Sequence, residues 1–207
     1  MAGVRVHQHV NPLAPFYRQP PEPLDVERIF AEPEKPLLID IGCARGRFLL
    51  RMAEARPDWN YLGIEIRKPL VEEANRIAEE AGLGNLAYVF CNAMLWLSHI
   101  LESIPKGLLQ MATIQFPDPW FKKKHSKRRM VNPMMVATLA ENLQTGGQVF
   151  IQTDIEFLAD EMFGLFRENK EFTELGVTEN PFPVKSEREK AVEAKGGEIF
   201  RSIFAKV

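Results

Sequence analysis

The stretch Leu37-Leu38-Ile39-Asp40-Ile41-Gly42-Cys43-Ala44-Arg45-Gly46 changes character partway along. Its first half is apolar apart from Asp40, a short unbroken run that reads as a strand buried on both faces of a parallel sheet. Glycines at 42 and 46 then make a turn, and a helix is expected over 48–55 until Arg56-Pro57 ends it. Strand, glycine turn and helix in that order open a doubly wound α/β domain. Glycines at such a turn let a ligand come close to the backbone where the helix begins. Their G-x-x-x-G spacing matches neither the G-x-G-x-x-G of a dinucleotide-binding turn nor a Walker A loop.

The alternation continues downstream. Strands are expected at 60–64, 86–91, 108–116 and 148–153, with helices over 69–81, 93–104, 133–143 and 156–169. Pro69 sits where a first helical turn tolerates proline, and Gly82 stops the same helix. Strand candidates at 172–175 and 199–205 close the chain. Such a repeat predicts an open, mostly parallel sheet with helices on both faces and a ligand site beyond the carboxyl ends of the strands. Polar groups stand at those ends: Asp40, Glu65, Asn92, Asp118 and Asp154.

Upstream the composition is different. Seven of the 15 prolines fall within the first 36 residues, which predicts an extended arm rather than core, with a short helix over 25–31 capped by Asp25. The domain proper is therefore set at 37–207, after an arm over 1–36. No apolar run approaches a membrane span, and the start lacks the apolar stretch of a secretory signal. Cys43 and Cys91 form no motif and suggest a reducing compartment. A cytoplasmic protein is expected. His7, His9, His99 and His125 show no ligand spacing, so no metal is expected either.

Net charge is −2, from 26 basic and 28 acidic residues, but six of the basic ones crowd into Lys122-Lys123-Lys124-His125-Ser126-Lys127-Arg128-Arg129. A charge run is usually a solvated face. Here six like charges repel one another on an otherwise acidic chain, and a phosphate-rich partner would relieve that repulsion through counterion release. The window follows Phe116-Pro117-Asp118-Pro119-Trp120, in which two prolines stiffen the backbone around one acid. The neighbouring aromatic offers a face for a base or a wall for a pocket. Glu65 stands 19 residues beyond Gly46, close to the distance at which an acid accepts ribose hydroxyls. With Asn92 placed to meet an adenine edge, and with no pyrophosphate clamp, the set points to S-adenosylmethionine ahead of a nicotinamide cofactor. The tail residues Ser186-Glu187-Arg188-Glu189-Lys190 read on their own as a charged turn before an edge strand.

Taken together, these residues closely resemble the tRNA (guanine-N7)-methyltransferase family of the Rossmann-like class I fold. The resemblance runs through Arg5-Val6-His7-Gln8-His9-Val10-Asn11-Pro12-Leu13, Asp40-Ile41-Gly42-Cys43, Gly63-Ile64-Glu65, the Pro-Asp-Pro-Trp motif, Lys124–Arg129, Thr153-Asp154 and the tail over 186–204. Pro-Asp-Pro-Trp followed by His-x-Lys-Arg-Arg is its specific part. The resemblance implies an antiparallel final strand. It also implies a methyl donor, S-adenosyl-L-methionine, held by Asp40, Gly42, Glu65 and Asn92, with Asp118 catalytic. Lys122, Asp154, Ser186 and Glu189 would meet the substrate nucleoside. Lys124, His125, Ser126, Lys127, Arg128 and Arg129 would track the RNA. The implied target is a guanosine in the tRNA variable loop, with no membrane, no obligatory protein partner, and a monomer or homodimer.

Three positions depart from the pattern. Ala44 stands where a second glycine is common, Asn92 where an aspartate is common, and Ser186 where a threonine is common. A non-catalytic tRNA-binding module, or a methyltransferase for a small molecule or protein, remain as other readings of the same residues.

Overall fold

The apolar run becomes β1 (Leu37–Ile41), buried along its whole length. In the computed structural model, which describes residues 4–7 and 10–207, it lies in the middle of the sheet. The described strands are β1, β2 (Asn60–Glu65), β3 (Leu86–Phe90), β4 (Leu109–Gln115), β5 (Gln148–Thr153), β6 (Phe172–Glu174) and β7 (Phe200–Lys206). Their spatial order is β3-β2-β1-β4-β5-β7-β6. The first five run parallel, and β7 is antiparallel to both its neighbours. The final strand therefore lies between β5 and β6 rather than at the edge; the short β6 takes the edge. Strand order reverses between β1 and β4, and a crevice must open there beyond their carboxyl ends.

Side chains alternate across the sheet and build a core on each face. Leu38 and Tyr61 pack with Phe48, Leu49, Met52, Val71 and Ala74, which lie on α2 (Arg47–Ala55) and α3 (Lys68–Glu80). Leu37, Ile39, Ile41, Leu62 and Ile64 face the other way into a larger cluster. Its helical partners are α4 (Ala93–Leu101), α5 (Pro133–Asn142) and α6 (Glu156–Arg167). At about 1.5–3 kcal/mol for each fully buried large aliphatic side chain, these two clusters fix the register of the sheet.

Local signals set the helix ends. Asn132 Oδ1 accepts from the Met135 amide at 3.0 Å, with Pro133 in the first turn of α5. Gly82, left-handed at φ 68°, ends α3: its amide bonds to the Glu79 carbonyl, and the Leu83 amide bonds to that of Ala78. One helix was hidden in the sequence. The charged tail segment forms α7 (Glu187–Glu193), capped reciprocally by Ser186 and Glu189. The S-x-x-E signature of a capping box was present at 186–189 and is the signal that finds it.

The proline-rich stretch is not all arm. Asp25 caps the short α1 (Val26–Ile29) as expected, and Val26 and Phe30 join the larger core cluster. Further upstream, Pro15–Arg18 form a 3-10 turn. The Pro12 and Tyr17 carbonyls accept from Asn92 Nδ2 at 2.8 and 3.3 Å, so the arm is laid against the end of β3. Of the arm motif over 5–13, Gln8 and His9 lie outside the described residues. Among the described residues no helix is long and apolar enough to cross a membrane.

Candidate active site

A cleft of about 770 Å³ opens beyond the carboxyl ends of β1, β2, β4 and β5. Asp40, Gly42, Glu65 and Asn92 line it from one side, and Asp118, Asp154 and Ser186 from the other. Of the basic window, Arg128 reaches the lining; Lys122, Lys124, His125, Ser126, Lys127 and Arg129 are not part of it, and neither is Glu189. Val6, Val10 and Pro12 bring the arm in as an apolar wall, a contribution that its reading as a separate extension missed.

At the glycine-turn end the polar groups are nearly buried. Glu65, 3% exposed, accepts at one oxygen from the Ala44 amide at 2.9 Å. Arg67 occupies the rest of the carboxylate. Its amide and Nε reach one oxygen at 2.9 Å, and Nη2 reaches the other at 3.0 Å. Burial works against charge on that guanidinium, but the bonds to Glu65 and the nearby Asp118 carboxylate raise it above the ordinary arginine range. Arg67 thus touches one candidate carboxylate and feels another, and no sequence pattern singled it out. Ala44, the departure from glycine, adopts the left-handed φ of 53° that glycine would take without strain. That strain aims its amide at Glu65.

The glycines have steric partners. A Cβ on Gly63 would stand 2.3 Å from Tyr88 Cδ1 and 2.7 Å from Cys43 Sγ, and one on Gly46 would meet the same Tyr88 ring. The Tyr88 hydroxyl donates to the Gly46 carbonyl at 2.7 Å, bracing the turn from below. Gly63→Ala should therefore cost about 1–3 kcal/mol through overpacking. Urea unfolding checks this, and an unchanged midpoint would show that Tyr88 yields freely.

Asp40 is buried and accepts from the Thr113 hydroxyl at 2.7 Å. Burial pushes its carboxyl up from 3.8 to about 6, against the Thr113 hydrogen bond and the nearby Gln115 amide and with the charge of Glu65. A raised carboxyl value means that the folded state holds the proton more tightly than the unfolded one. The associated stability is present below pH 4 and is lost as pH rises through about 6. The loss amounts to about 3 kcal/mol by pH 7. Asp40→Asn should remove this part of the pH dependence; parallel unfolding curves for variant and parent between pH 4 and 7 would contradict it. A cation bound in the cleft would favour the carboxylate and oppose the loss.

Asn92 engages both amide hydrogens on the arm, leaving Oδ1 to serve as its acceptor. The change from aspartate thus keeps an acceptor for the cleft and adds an anchor for the arm. Cys43 and Cys91 are buried, and burial raises both thiols, Cys91 to about 12. They are not reactive thiolates.

At the other end, Asp118 sits on a loop held by strain and by bonds. Phe116 and Trp120, on either side of Pro-Asp-Pro, both have left-handed backbones, at φ 49° and 45°. Non-glycine residues adopt this region only when the surroundings enforce it. The Phe116 amide bonds to the Gln152 carbonyl at 2.8 Å, and Arg129 Nε donates to the Pro119 carbonyl at 3.0 Å. Asp154 forms an ion pair with Arg188 of α7. Ser186 lines the cleft while its hydroxyl caps the Glu189 amide. Glu189 faces inward and is fully buried. It accepts from Arg201, Gln152 and Asn180, so its place is beneath the site, holding Ser186 and α7. Glu187 pairs with Arg51 at 2.8 Å and ties the start of α7 to α2.

The basic window folds into a 3-10 turn, Lys123–Arg128, beside the Asp118 loop. Arg128 stacks over Trp120 at 4.9 Å, and His125 meets the same ring edge-on. Desolvation and the neighbouring Arg128, Lys124 and Lys122 hold the His125 imidazole below its usual range, so it adds little charge at pH 7. Arg129 departs from the expected RNA track. It is turned inward, bonding the Pro119 and Trp120 carbonyls and pairing with Glu161. Among the described residues no group of three or more His, Cys, Asp or Glu is placed to hold a metal ion.

Sheet order, antiparallel final strand and cleft define a class I methyltransferase fold. The solved antibiotic-resistance methyltransferase Kmr shares it, with TM-score 0.58 at 19% identity over 88% of this chain and 91% of that one. A family model described as "Putative methyltransferase" matches residues 34–202. The tRNA (guanine-N(7)-)-methyltransferase of Trichormus variabilis is 50% identical over 99% of this chain and 97% of its own length. That of Nostoc sp. is 51% identical over 97% and 94%. The chain belongs to the tRNA (guanine-N7-)-methyltransferase family.

Proposed function

We propose that this chain moves a methyl group from S-adenosyl-L-methionine to N7 of a guanosine in the variable loop of tRNA. One observation carries the reading. A single cleft joins the buried acceptors of the glycine-turn end to Asp118 and Asp154, and the loop bearing Asp118 runs directly into the basic turn. Residues 37–207 act as the body of the catalytic domain, the upstream segment contributes Val26 and Phe30 to its core and Val6, Val10 and Pro12 to its cleft, and the setting is cytoplasmic.

The residues at the glycine-turn end suit the donor's chemistry. Glu65 offers a carboxylate to a ribose diol. Asn92 offers Oδ1 to an adenine amine, and Asp40 offers negative charge to a cationic amino acid. Val6, Val10 and Pro12 supply apolar wall. When bound, the donor supplies an electrophilic methyl on a sulfonium. Because Arg67 engages both Glu65 oxygens, its fork must loosen for a diol to bind, while the Ala44 amide keeps the carboxylate aligned.

Guanine N7 carries a lone pair and no proton, so no residue has to act as a base. The protein's work is positioning and charge. Asp118, on its stiff loop, accepts from the guanine N1–H and exocyclic amine and stabilises the positive charge that arrives on the purine. Asp154 supports the same base once Arg188 is drawn off it, and Lys122 meets the nucleoside from the rim. Ser186 borders the base, and Glu189 acts through it from below.

Replacing guanosine with 7-deazaguanosine throughout a tRNA transcript tests this reading, because the analogue lacks the acceptor atom. Labelled methyl should enter the ordinary transcript and not the analogue. Equal labelling of the two would move the methyl to another atom.

A further inference from the structure

Phe121 and Phe157 are an unexplained pair. Both are large, apolar and solvent-exposed, at 68% and 40%, and their rings lie 5.9 Å apart, tilted by 59°. Phe121 follows Trp120 at the end of the Asp118 loop and lines the cleft. Phe157 lies in the first turn of α6, shortly after Asp154. The pair therefore bridges the outer ends of the two loops that carry the carboxylates facing the base. Its mounting is firm. The Arg129 guanidinium stacks on Phe157 at 5.1 Å and is itself fixed to the Pro119 carbonyl and to Glu161. Phe121 gains little from burial, so its place in the fold does not account for it.

We propose that Phe121, backed by Phe157, is a stacking shelf for the nucleobase adjoining the target guanosine, an inference that rests on the functional reading above. A guanosine turned into the cleft leaves its neighbour without a stacking partner, and an exposed ring at the lip replaces that partner. The order along the chain matches the order along a nucleotide: an aromatic face at Phe121, then cations at Lys122, Lys123 and Lys124 for the attached phosphates. Every base has a π-face, so the shelf tolerates different neighbours and adds affinity rather than sequence preference.

The test uses the full chain, its tRNA transcript, and transcripts carrying 2-aminopurine on either side of the target guanosine. Phe121→Ala should weaken tRNA binding about 5- to 100-fold. The salt slope and donor affinity should stay unchanged, because no phosphate or donor contact is lost. Phe121→Trp should restore binding. One 2-aminopurine should be quenched on binding to the parent protein and stay bright with Phe121→Ala. Unaltered affinity and quenching in Phe121→Ala, with tRNA binding by the parent intact, would overturn the shelf alone. Failure of the parent to bind tRNA at all would overturn the functional reading together with the shelf.

Discussion

Asp118→Asn should fold and bind donor normally, yet turn over on the order of 100-fold or more slowly, the scale expected when one preorganised electrostatic contact is lost. The argument rests on the loop as much as on the carboxylate. Two left-handed non-glycine residues, two prolines and the Arg129 bonds hold the backbone in place whether or not residue 118 is charged. The substitution keeps shape and removes charge. It also puts an amide where two guanine donors need acceptors, so the transition state loses the group that meets its developing charge. Because Arg67 holds Glu65 and also feels the Asp118 charge, donor affinity of the variant is measured alongside to separate this effect from donor binding. Single-turnover rates with saturating donor give the measurement, and a rate within a few-fold of the parent would remove Asp118 from the chemistry.

Salt should weaken tRNA binding almost as strongly. With Arg129 committed to internal bonds and His125 held below its usual range, the cations available to phosphates are Lys122, Lys123, Lys124, Lys127 and Arg128. If all five engage, log K falls against log salt with a slope of about −3.5 to −4.5. That amounts to a loss of about 100- to 500-fold between 50 and 200 mM salt. Replacing Lys123, Lys124 and Lys127 with glutamine should reduce the slope by roughly 2 to 3. Replacing Arg129 should instead lower stability, because it leaves Glu161 and the Pro119 carbonyl without their partner. A slope near zero for the parent would make the turn merely solvated surface.

What the sequence disclosed follows the range of the interactions involved. Runs such as Leu37–Ile41 and Gln148–Thr153 appear as strands at the boundaries their apolar patterns indicate, because both of their faces are buried. The polar residues at the strand ends converge on one cleft because parallel strands share a carboxyl edge. Pairings between distant segments left no local trace. Nothing near Glu65 announces that Arg67 closes on both its oxygens. Nothing near Asp154 announces Arg188, which arrives on a helix that reads locally as a charged turn. Arg128 and Arg129 are neighbours in one charge run, but one stacks on Trp120 at the cleft and the other is drawn under the loop by carbonyls that its own window does not contain. The prolines around Asp118 predicted stiffness, but the left-handed turns at Phe116 and Trp120 depend on packing that only the folded chain supplies.

The most direct test of guanine-N7 methylation in tRNA is to incubate the protein with donor and an unmodified tRNA transcript, reduce the product, and treat it with aniline, which breaks the chain at 7-methylguanosine. The proposed function predicts one cut, in the variable loop, absent with Asp118→Asn at matched times. Methyl-labelled tRNA that resists cleavage, or a transcript that stays unlabelled while the protein binds donor, would contradict it.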